Sequence, residues 1–319
     1  MQDNSNMQKN VVMGAGSTSS ITRLAADPGW VMKCPIRRDP ESMGYVQQAF
    51  EAEAAILDLV TGHPRVIEYG GKIGSEFVAI PEWGIGLVVE SELAYGLRLK
   101  EYANGNLEKY LQSQNDIEDI DLELRYKWCR QIVEAIVWIH SKNVLHNDLS
   151  PGNILLDDQL NLILSDFGSA YCNHLNISST RIPDPPYRDP RYYDDGTLDI
   201  DIFALGSILY LFMTGHPPYG SAKPLATWQQ IVALDDLAHF SFLKGEFPDV
   251  KDLKIGTVIQ GCWQGEFESA SEILSKLDMV LSGAHEALAE PPNKLFTTWC
   301  RVKQFVTSTI LCGKGEEVS

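Results

Sequence analysis

The sequence predicts an α+β fold with two lobes, the first small and rich in strands, the second larger and helical. The first hundred residues are mostly short strand-like segments, interrupted by one helical pattern. From about residue 107, apolar residues recur at steps of three and four, which indicates amphipathic helices. Strands that come first and helices that follow are typical of α+β proteins, and residues 102–105 would join the two lobes.

In the first lobe, the pattern predicts four strands and one helix. The strands are expected at residues 11–13, 21–24 and 30–33, and where Leu97 and Leu99 alternate with Arg98 and Lys100. The helix is expected over residues 45–59, with an apolar face formed by Phe50, Ala54, Leu57 and Val60.

In the second lobe, helices are expected to surround two short strands at residues 153–156 and 160–164. The first clear helix has a buried stripe of Trp128, Ile132, Ala135, Ile136 and Ile139. Further helices are expected at residues 201–213, 225–234, 269–282 and 295–311. The chain would then divide into a tail at 1–9, a first lobe at 10–103, a second lobe at 104–283 and a C-terminal helical extension at 284–319.

The chain has 319 residues and a formal charge of −17, from 26 Lys and Arg against 43 Asp and Glu. This balance argues against nucleic-acid binding, which needs clustered cations, and against docking on anionic membranes. The six cysteines form no Cys-x-x-Cys pair, so neither a zinc site nor a disulfide framework is indicated. The polar N-terminus has no apolar signal-peptide core, and we therefore expect an intracellular protein, cytoplasmic or nuclear.

Two segments of the first lobe suggest phosphate binding. Gly14-Ala15-Gly16 follows a strand, so its backbone amides would cover phosphate oxygens. Lys33 ends a strand and Glu53 lies on the following helix, and an ion pair between them would aim the ammonium at a phosphate. Each signal is weak alone, because most Gly-x-Gly pairs are tight turns and most surface charges are solvated.

The stronger signals lie in the second lobe. Residues 146–153 read His-Asn-Asp-Leu-Ser-Pro-Gly-Asn and place a carboxylate and a carboxamide five residues apart on a tight loop. Asp148 would orient and deprotonate a hydroxyl, and Asn153 would offer an oxygen to magnesium. Asp166, followed by Phe-Gly, supplies a second hard oxygen ligand. The two aspartates at 157–158 are better explained as a solvated turn.

In their order and near their spacings, these segments resemble the protein kinase family over about residues 10–283. Later segments agree: Tyr-Arg-Asp-Pro-Arg at 187–191, Asp-Ile-Phe-Ala-Leu-Gly at 201–206 and Thr-Gly-His-Pro-Pro-Tyr at 214–219. The resemblance implies the bilobal kinase fold, ATP and Mg²⁺ as cofactors, and transfer of the γ-phosphate to a protein hydroxyl. The implied class is closer to serine/threonine kinases than to tyrosine kinases.

The resemblance also implies a role for individual residues. The catalytic set would be Asp148, Lys33, Asn153 and Asp166, of which Asn153 and Asp166 would hold magnesium. The nucleotide-binding set would be Gly14, Gly16, Ile21, Val31, Lys33, Glu53, Glu101, Ala103 and Leu155. Within that set, Ile21 and Val31 would roof the adenine, Leu155 would form its floor, and the backbone of Glu101 and Ala103 would bond its edge. An apolar column of Leu57, His146 and Phe167 would link the lobes, anchored by Asp201.

Several positions depart from the family's pattern. Lys100 falls just before the hinge, where an uncharged residue is usual, and we expect it to point outward because its neighbours supply the apolar face. Asn147 replaces an arginine that grips a phosphorylated activation loop, and Ser150 replaces a lysine that contacts the γ-phosphate. Arg191 stands where the family has a glutamate. We expect a reversed ion pair there, with Glu266 or Glu268 as partner.

Two other functions remain open. The missing loop lysine favours a pseudokinase that binds nucleotide or a partner without transfer. The Asp-Leu-Ser-Pro-Gly-Asn loop also suggests a small-molecule phosphotransferase of the aminoglycoside or choline kinase type. For the protein kinase hypothesis, the partner is a protein or peptide substrate. Residues 101–319 hold 31 acids against 17 bases, which favours basic peptides, although the same charge would equally serve solubility.

Overall fold

The computed structural model describes residues 10–15, 19–36, 43–74, 95–178, 184–191, 196–220 and 227–283. The chain divides into units of residues 1–284 and 285–319, and everything below concerns the first unit. The predicted C-terminal helical extension, including the helix at 295–311, lies outside the described residues. No helix in the described part is long and apolar enough to cross a membrane.

The first lobe is built on a five-stranded antiparallel sheet in the order β1-β2-β3-β5-β4. Its strands are β1 (Val11–Ala15), β2 (Ser19–Arg23), β3 (Trp30–Pro35), β4 (Tyr69–Ile73) and β5 (Gly96–Lys100). Ile21 pairs with Lys33 and Lys33 with Leu97, and directly opposed residues share a face of the sheet. The inner face of the sheet therefore carries these three side chains.

One helix, α1 (Met43–Val60), packs against that sheet. Phe50, Ala54, Leu57 and Val60 are all buried, as their spacing predicts. The same spacing leaves Glu53 on the flank of the helix that faces β3, where it is also buried. The hydrophobic stripe thus fixes the rotation of α1 and brings a carboxylate into the interior.

The second lobe is helical around a short two-stranded ribbon. Its helices are α2 (Leu107–Ser113), α3 (Leu122–Ser141), α4 (Asp199–Thr214), α5 (Trp228–Leu243), α6 (Gly256–Gln264) and α7 (Ala270–Ser282). Its strands are β6 (Ile154–Leu156) and β7 (Leu162–Leu164). The predicted stripe of α3 is buried, and α4 is buried along nearly its whole length. The amide of Leu156 donates to the carbonyl of Gly105 at 2.9 Å, which ties the ribbon to the segment that joins the lobes.

Two helices differ from the sequence-based expectation. The helix expected at residues 225–234 runs from Trp228 to Leu243, because two aspartates in its middle interrupt the apolar pattern but not the helix. The pattern did not predict α6, whose nine residues include two glycines. Gly261 is required there, since a Cβ at this position would lie 2.6 Å from the Phe267 ring.

Candidate active site

The centre of the candidate site is a buried lysine held by two carboxylates. Nζ of Lys33, on β3, lies 2.7 and 2.8 Å from the two carboxylate oxygens of Glu53, on α1. It also lies 2.7 Å from Oδ1 of Asp166, which follows β7 in the second lobe. Lys33 is 6% exposed and Glu53 is 4% exposed. The ion-pair network therefore joins the two lobes through one ammonium group.

The protonation states of this network follow from its charges. Burial alone would lower the pKa of Lys33, but the carboxylates of Asp166 and Glu53 outweigh it and raise that pKa above its ordinary value. The ammonium lowers the pKa of Asp166 to about 2, against the opposing effect of burial. Burial raises the pKa of Glu53, with Lys33 acting in the opposite direction. Lys33 and Asp166 are both charged at neutral pH.

Local backbone geometry sets the position of Asp166. Its φ of 60° is in the left-handed region, which aspartate and asparagine tolerate best among residues with a side chain. Two residues later, a Cβ on Gly168 would lie 3.3 Å from Oδ1 of Asp166 and 3.5 Å from Oε2 of Glu53. Glycine at 168 leaves room for the carboxylates to reach the same lysine.

The segment between α3 and β6 brings Asp148 and Asn153 together. Nδ2 of Asn153 donates to the Asp148 carbonyl at 2.8 Å and to Oδ2 of the Asp148 carboxylate at 3.1 Å. Backbone and hydroxyl groups of Ser165 both donate to the Asn153 carbonyl at 2.9 Å. Asp148 is buried, whereas Asn153 is half-buried. Asn153 thus bonds to Asp148 within the loop and to Ser165 outside it. Because Ser165 directly precedes Asp166, the same contacts connect the loop to the Asp166 segment.

A buried carboxylate holds the start of this loop. Asp201, at the start of α4, accepts hydrogen bonds from the backbone amides of His146 at 2.8 Å and Asn147 at 2.9 Å, and from Nε2 of His140 at 2.9 Å. The His146 ring lies 5.1 Å from that of Phe167, and Leu57 is also buried. Asn147 has a φ of 60°, so an asparagine suits this bend. Asp201 thus makes the contacts with the loop that its predicted anchoring role requires, and His140 is a third donor that the sequence pattern did not identify.

The predicted adenine-binding residues lie on the expected elements. Val31 is on the inner face of β3, Ile21 is opposite Lys33 on β2, and Leu155 is on β6. The Glu101 amide donates to the Gly29 carbonyl at 2.9 Å, so the Glu101 backbone can offer a ligand only its carbonyl. In the described part, the exposed Ala103 has no bond that occupies its amide. Gly14 lies on β1, whereas Gly16 lies outside the described residues.

Lys100 points outward, as expected. Its Nζ lies 5.5 Å from the centroid of the Trp30 ring, and the Arg98 guanidinium lies 3.6 Å from the same centroid. The neighbouring Leu99 is paired with Val31, so its side chain lies on the inner face of the sheet, where it is buried. Strand alternation therefore places an apolar side chain, rather than an ammonium, next to the cleft.

The aspartates at the β6–β7 turn serve the turn itself. One carboxylate oxygen of Asp157 accepts from the amides of Gln159 and Asn161, both at 2.8 Å, and the other accepts from the Asn161 side chain at 2.8 Å. Asp158 is exposed. This geometry confirms a solvated turn and excludes the pair from the candidate site.

Comparison with known proteins decides the family. A family model described as protein kinase domain matches residues 7–273. The chain belongs to the protein kinase family. This match covers most of the chain, and the five-stranded sheet followed by a helical lobe has the family's bilobal fold.

Individual kinases match over shorter stretches. The 3-phosphoinositide-dependent protein kinase 1 of Rattus norvegicus is 28% identical over 170 residues, which are 51% of this chain and 29% of the relative. The phosphorylase b kinase gamma catalytic chain, liver/testis isoform, of Homo sapiens is 27% identical over 232 residues, 68% of this chain and 51% of the relative. The serine/threonine-protein kinase plk-2 of Caenorhabditis elegans is 34% identical over 112 residues, 34% of this chain and 18% of the relative. The aligned part is thus about half or less of each relative's length.

A protein kinase domain implies ATP and Mg²⁺, and the donors present suit both. The Asp166 side chain is 46% exposed, so its carboxylate reaches solvent. Asn153 uses its amide nitrogen on Asp148, which leaves its Oδ1 as a hard oxygen donor. The described residues contain no group of three or more His, Cys, Asp or Glu side chains that could hold a metal ion by themselves. Mg²⁺ in nucleotide sites typically takes one or two protein ligands, and phosphate and water oxygens complete its coordination.

The reversed ion pair expected at Arg191 is wrong. The guanidinium instead donates to both carboxylate oxygens of Asp189, at 2.8 and 2.6 Å, and to the carbonyl of Trp263 at 2.6 Å. Neither Glu266 nor Glu268 pairs with it. Asp189, two residues before Arg191, already pairs with the guanidinium, so neither glutamate after α6 is needed to neutralise it. Only the carbonyl bond reaches α6, and sequence patterns carry no information on such a contact.

Proposed function

We propose that this chain is an ATP- and Mg²⁺-dependent protein kinase that transfers the γ-phosphate to a serine or threonine hydroxyl. The observation that carries the proposal is the network in which Lys33 contacts both Glu53 and Asp166 at 2.7 Å. Forming it requires α1 and the segment after β7 to be placed correctly at the same time, as catalysis by this family requires. Membership of the family, and relatives that are named as serine/threonine-protein kinases, support the substrate class.

The residues then have distinct roles. Lys33 would hold the α- and β-phosphates, and Asp166 and Asn153 would bind magnesium, which neutralises phosphate charge when bound. The substrate hydroxyl oxygen forms a bond to the γ-phosphorus as the bond to the β–γ bridging oxygen breaks. The hydroxyl proton passes to the Asp148 carboxylate, and ADP leaves with the electron pair. The backbone of Glu101 and Ala103 would bond the adenine edge, between Ile21, Val31 and Leu155.

One sequence feature favours a second candidate, a pseudokinase. No Lys or Arg occurs between Asn143 and Thr180, and the position of the usual loop lysine is Ser150. Positive charge for the transition state would come from magnesium and Lys33 alone. If that charge is insufficient, the same site would bind nucleotide without transferring phosphate.

The test is Mg²⁺-dependent ATP turnover on a mixed peptide library, with small alcohols and amines as separate acceptors. Asp148→Asn should lower kcat by about a hundred- to ten-thousandfold, and Asp166→Asn should remove most of the magnesium-dependent turnover. Asp158→Asn is the matched control, because it removes the same charge from an exposed turn. ATP binding without turnover would establish the pseudokinase, and transfer only to small acceptors would establish a small-molecule phosphotransferase.

A preference for basic peptides is part of the proposal. Oε2 of Glu108 lies 3.6 Å from where a Cβ of Gly152 would be, so this carboxylate borders the catalytic loop. Burial, with Asp184 and Asp236 nearby, raises the pKa of Asp235, which indicates a second acidic region where α5 lies near Asp184. Basic peptides should be phosphorylated faster than acidic ones at low salt, and Glu108→Gln should narrow the difference. Equal rates on both libraries would refute the preference.

A further inference from the structure

A cavity of about 380 Å³ lies on the second lobe, apart from the candidate catalytic residues. We call it the α3–α7 cavity, because α3 forms one wall and the end of α7 another. Its other walls are the loop before β4 and the loop before α6. The side chains that matter here are Arg65, Glu123, Tyr126, Lys127, Arg130 and Lys254. None of them belongs to the ion-pair network of the active site.

The charges of this cavity do not balance. Nε of Arg130 donates to Asp278 at 2.8 Å, and its guanidinium also pairs with Glu134, so this cation is neutralised. In the described part, Lys127 has no carboxylate within ion-pair distance. Lys254 donates to the backbone carbonyl of Leu281 at 3.0 Å rather than to an acid. Against Arg65, Lys127 and Lys254 stands one unpaired acid, Glu123. Arg130 itself has two carboxylate partners, so four cations face three carboxylates and the local excess is one positive charge, in a chain whose formal charge is −17.

Arg65 gives the strongest indication of a ligand. Its backbone is fixed, because its carbonyl accepts from the Leu164 amide at 2.8 Å and its amide donates to the His63 ring at 3.2 Å. The His63 ring in turn stacks on Trp138, with centroids 5.2 Å apart. Among the described residues, Arg65 has no carboxylate within ion-pair distance, and its buried Nη1 has no hydrogen-bond partner. Its guanidinium therefore lines the cavity with an unpaired charge, which an anion bound there would compensate.

We propose that the α3–α7 cavity binds a phosphate monoester. Such a group carries about −1.5 to −2 charges at neutral pH and three acceptor oxygens, one for each of the cationic side chains of Arg65, Lys127 and Lys254. A carboxylate has only two acceptor oxygens for these three side chains. The Tyr126 ring, 5.5 Å from the Lys254 ammonium, offers an apolar surface to the carbon part of the ester. The ester is carried either by a phosphorylated side chain of a protein or by a free small molecule.

Direct binding tests this proposal without relying on activity. Phenyl phosphate is titrated into the ¹⁵N-labelled full chain, and saturable amide shifts are expected at residues 65, 126–130 and 254. The variant Lys127→Ala/Lys254→Ala should bind about tenfold more weakly or worse, since each charge-assisted bond is strong. Lys251→Ala is the matched control. Lys251 is 87% exposed, pairs with Asp249 and does not line the cavity, so its loss should change the affinity less than about twofold.

A phosphotyrosine peptide and its unphosphorylated twin separate the two sources of the ester. Tighter binding of the phosphopeptide than of phenyl phosphate supports a phosphoprotein ligand, and equal binding supports a small-molecule ligand. Either result upholds a phosphate site. Benzoate binding as tightly as phenyl phosphate would overturn it, as would shifts that do not saturate or that persist unchanged in the double lysine variant. Arg65→Gln removes the charge and keeps much of the side chain's length, so it should also weaken the binding of phenyl phosphate.

Discussion

Replacing Asp201 by asparagine should test how the catalytic loop is held. The Asp201 carboxylate is fully buried and accepts three hydrogen bonds. Two come from consecutive backbone amides, those of His146 and Asn147, and the third comes from His140. Asparagine has nearly the same shape but presents one acceptor oxygen and one NH₂ group. At least one of the three donors would then face another donor.

The cost can be worked out bond by bond. If the carboxamide oxygen takes the place of Oδ2, it keeps the His140 and His146 bonds and loses the bond from Asn147. One charge-assisted hydrogen bond is worth about 1.5–3 kcal/mol, and a stranded buried N–H costs about 1–3 kcal/mol. The variant should therefore lose about 3–5 kcal/mol of unfolding free energy. That is a large share of the roughly 5–15 kcal/mol that stabilises a typical protein.

The penalty should depend on pH in a defined direction. Burial alone would raise the pKa of Asp201, but the bonds from His140 and the loop amides outweigh burial and lower it. Because the pKa in the folded state lies below the unfolded value of about 3.9, the stabilisation is complete above that pH and is lost as the pH falls through the folded pKa. The penalty of Asp201→Asn should thus be constant from about pH 7 to pH 5 and shrink in stronger acid.

Urea unfolding followed by tryptophan fluorescence measures this penalty. Asp199→Asn is the control, since it removes the same charge from the first turn of the same helix and should cost less than about 1 kcal/mol. Equal costs for the two variants would refute the anchoring role. So would a penalty at Asp201 that grows, rather than shrinks, in acid.

Three further variants test other contacts. Glu53→Gln should raise the KM for ATP and lower kcat about ten- to hundredfold in steady-state assays, because Lys33 loses a buried partner. The control Glu51→Gln removes an exposed ion pair and should change KM and kcat by less than about twofold. Arg191→Leu should lower the unfolding free energy by about 2–3 kcal/mol through the loss of charge-assisted bonds, and an equal loss in Glu266→Gln would contradict this assignment. Ser150→Lys should raise kcat about tenfold, which corresponds to roughly 1.4 kcal/mol of transition-state stabilisation. Ser150→Gln should leave kcat unchanged, and equal effects of the two variants would rule out charge as the cause.

The sequence predicts most of the fold where one pattern dominates. The stripe that includes Leu57 fixes the position of α1 and, with it, that of Glu53. The order of the motifs predicts the strands and loops on which Lys33, Asp148, Asn153 and Asp166 lie. These features are predictable because each depends on local spacing, and the order of motifs along the chain then sets which elements meet.

Contacts that depend on a backbone group or a distant helix were not predictable in the same way. His140 binds Asp201 across 61 positions of sequence, and nothing in the α3 pattern distinguishes this histidine from a surface one. Arg191 pairs with an acid only two residues away and with a main-chain oxygen of α6, so a search for a complementary acid elsewhere gave the wrong partner. Charge complementarity in sequence does not identify which partner the backbone brings within reach.

The charge of the candidate site indicates how it would have to work. Lys33 is shared by two carboxylates, so this part of the network already carries a net negative charge. Asp148 adds to it, and no Lys or Arg occurs between Asn143 and Thr180 to offset it. An ATP triphosphate brought to such a site meets like charge unless cations accompany it, because electrostatic repulsion is strong where water is excluded. Magnesium would therefore act here as the main source of positive charge at the phosphates, beyond its usual role of orienting them. The missing loop lysine should therefore affect two steps most, the binding of the metal–nucleotide complex and the transfer of the phosphate. The adenine contacts would be formed by backbone and apolar groups, so they should depend little on that lysine.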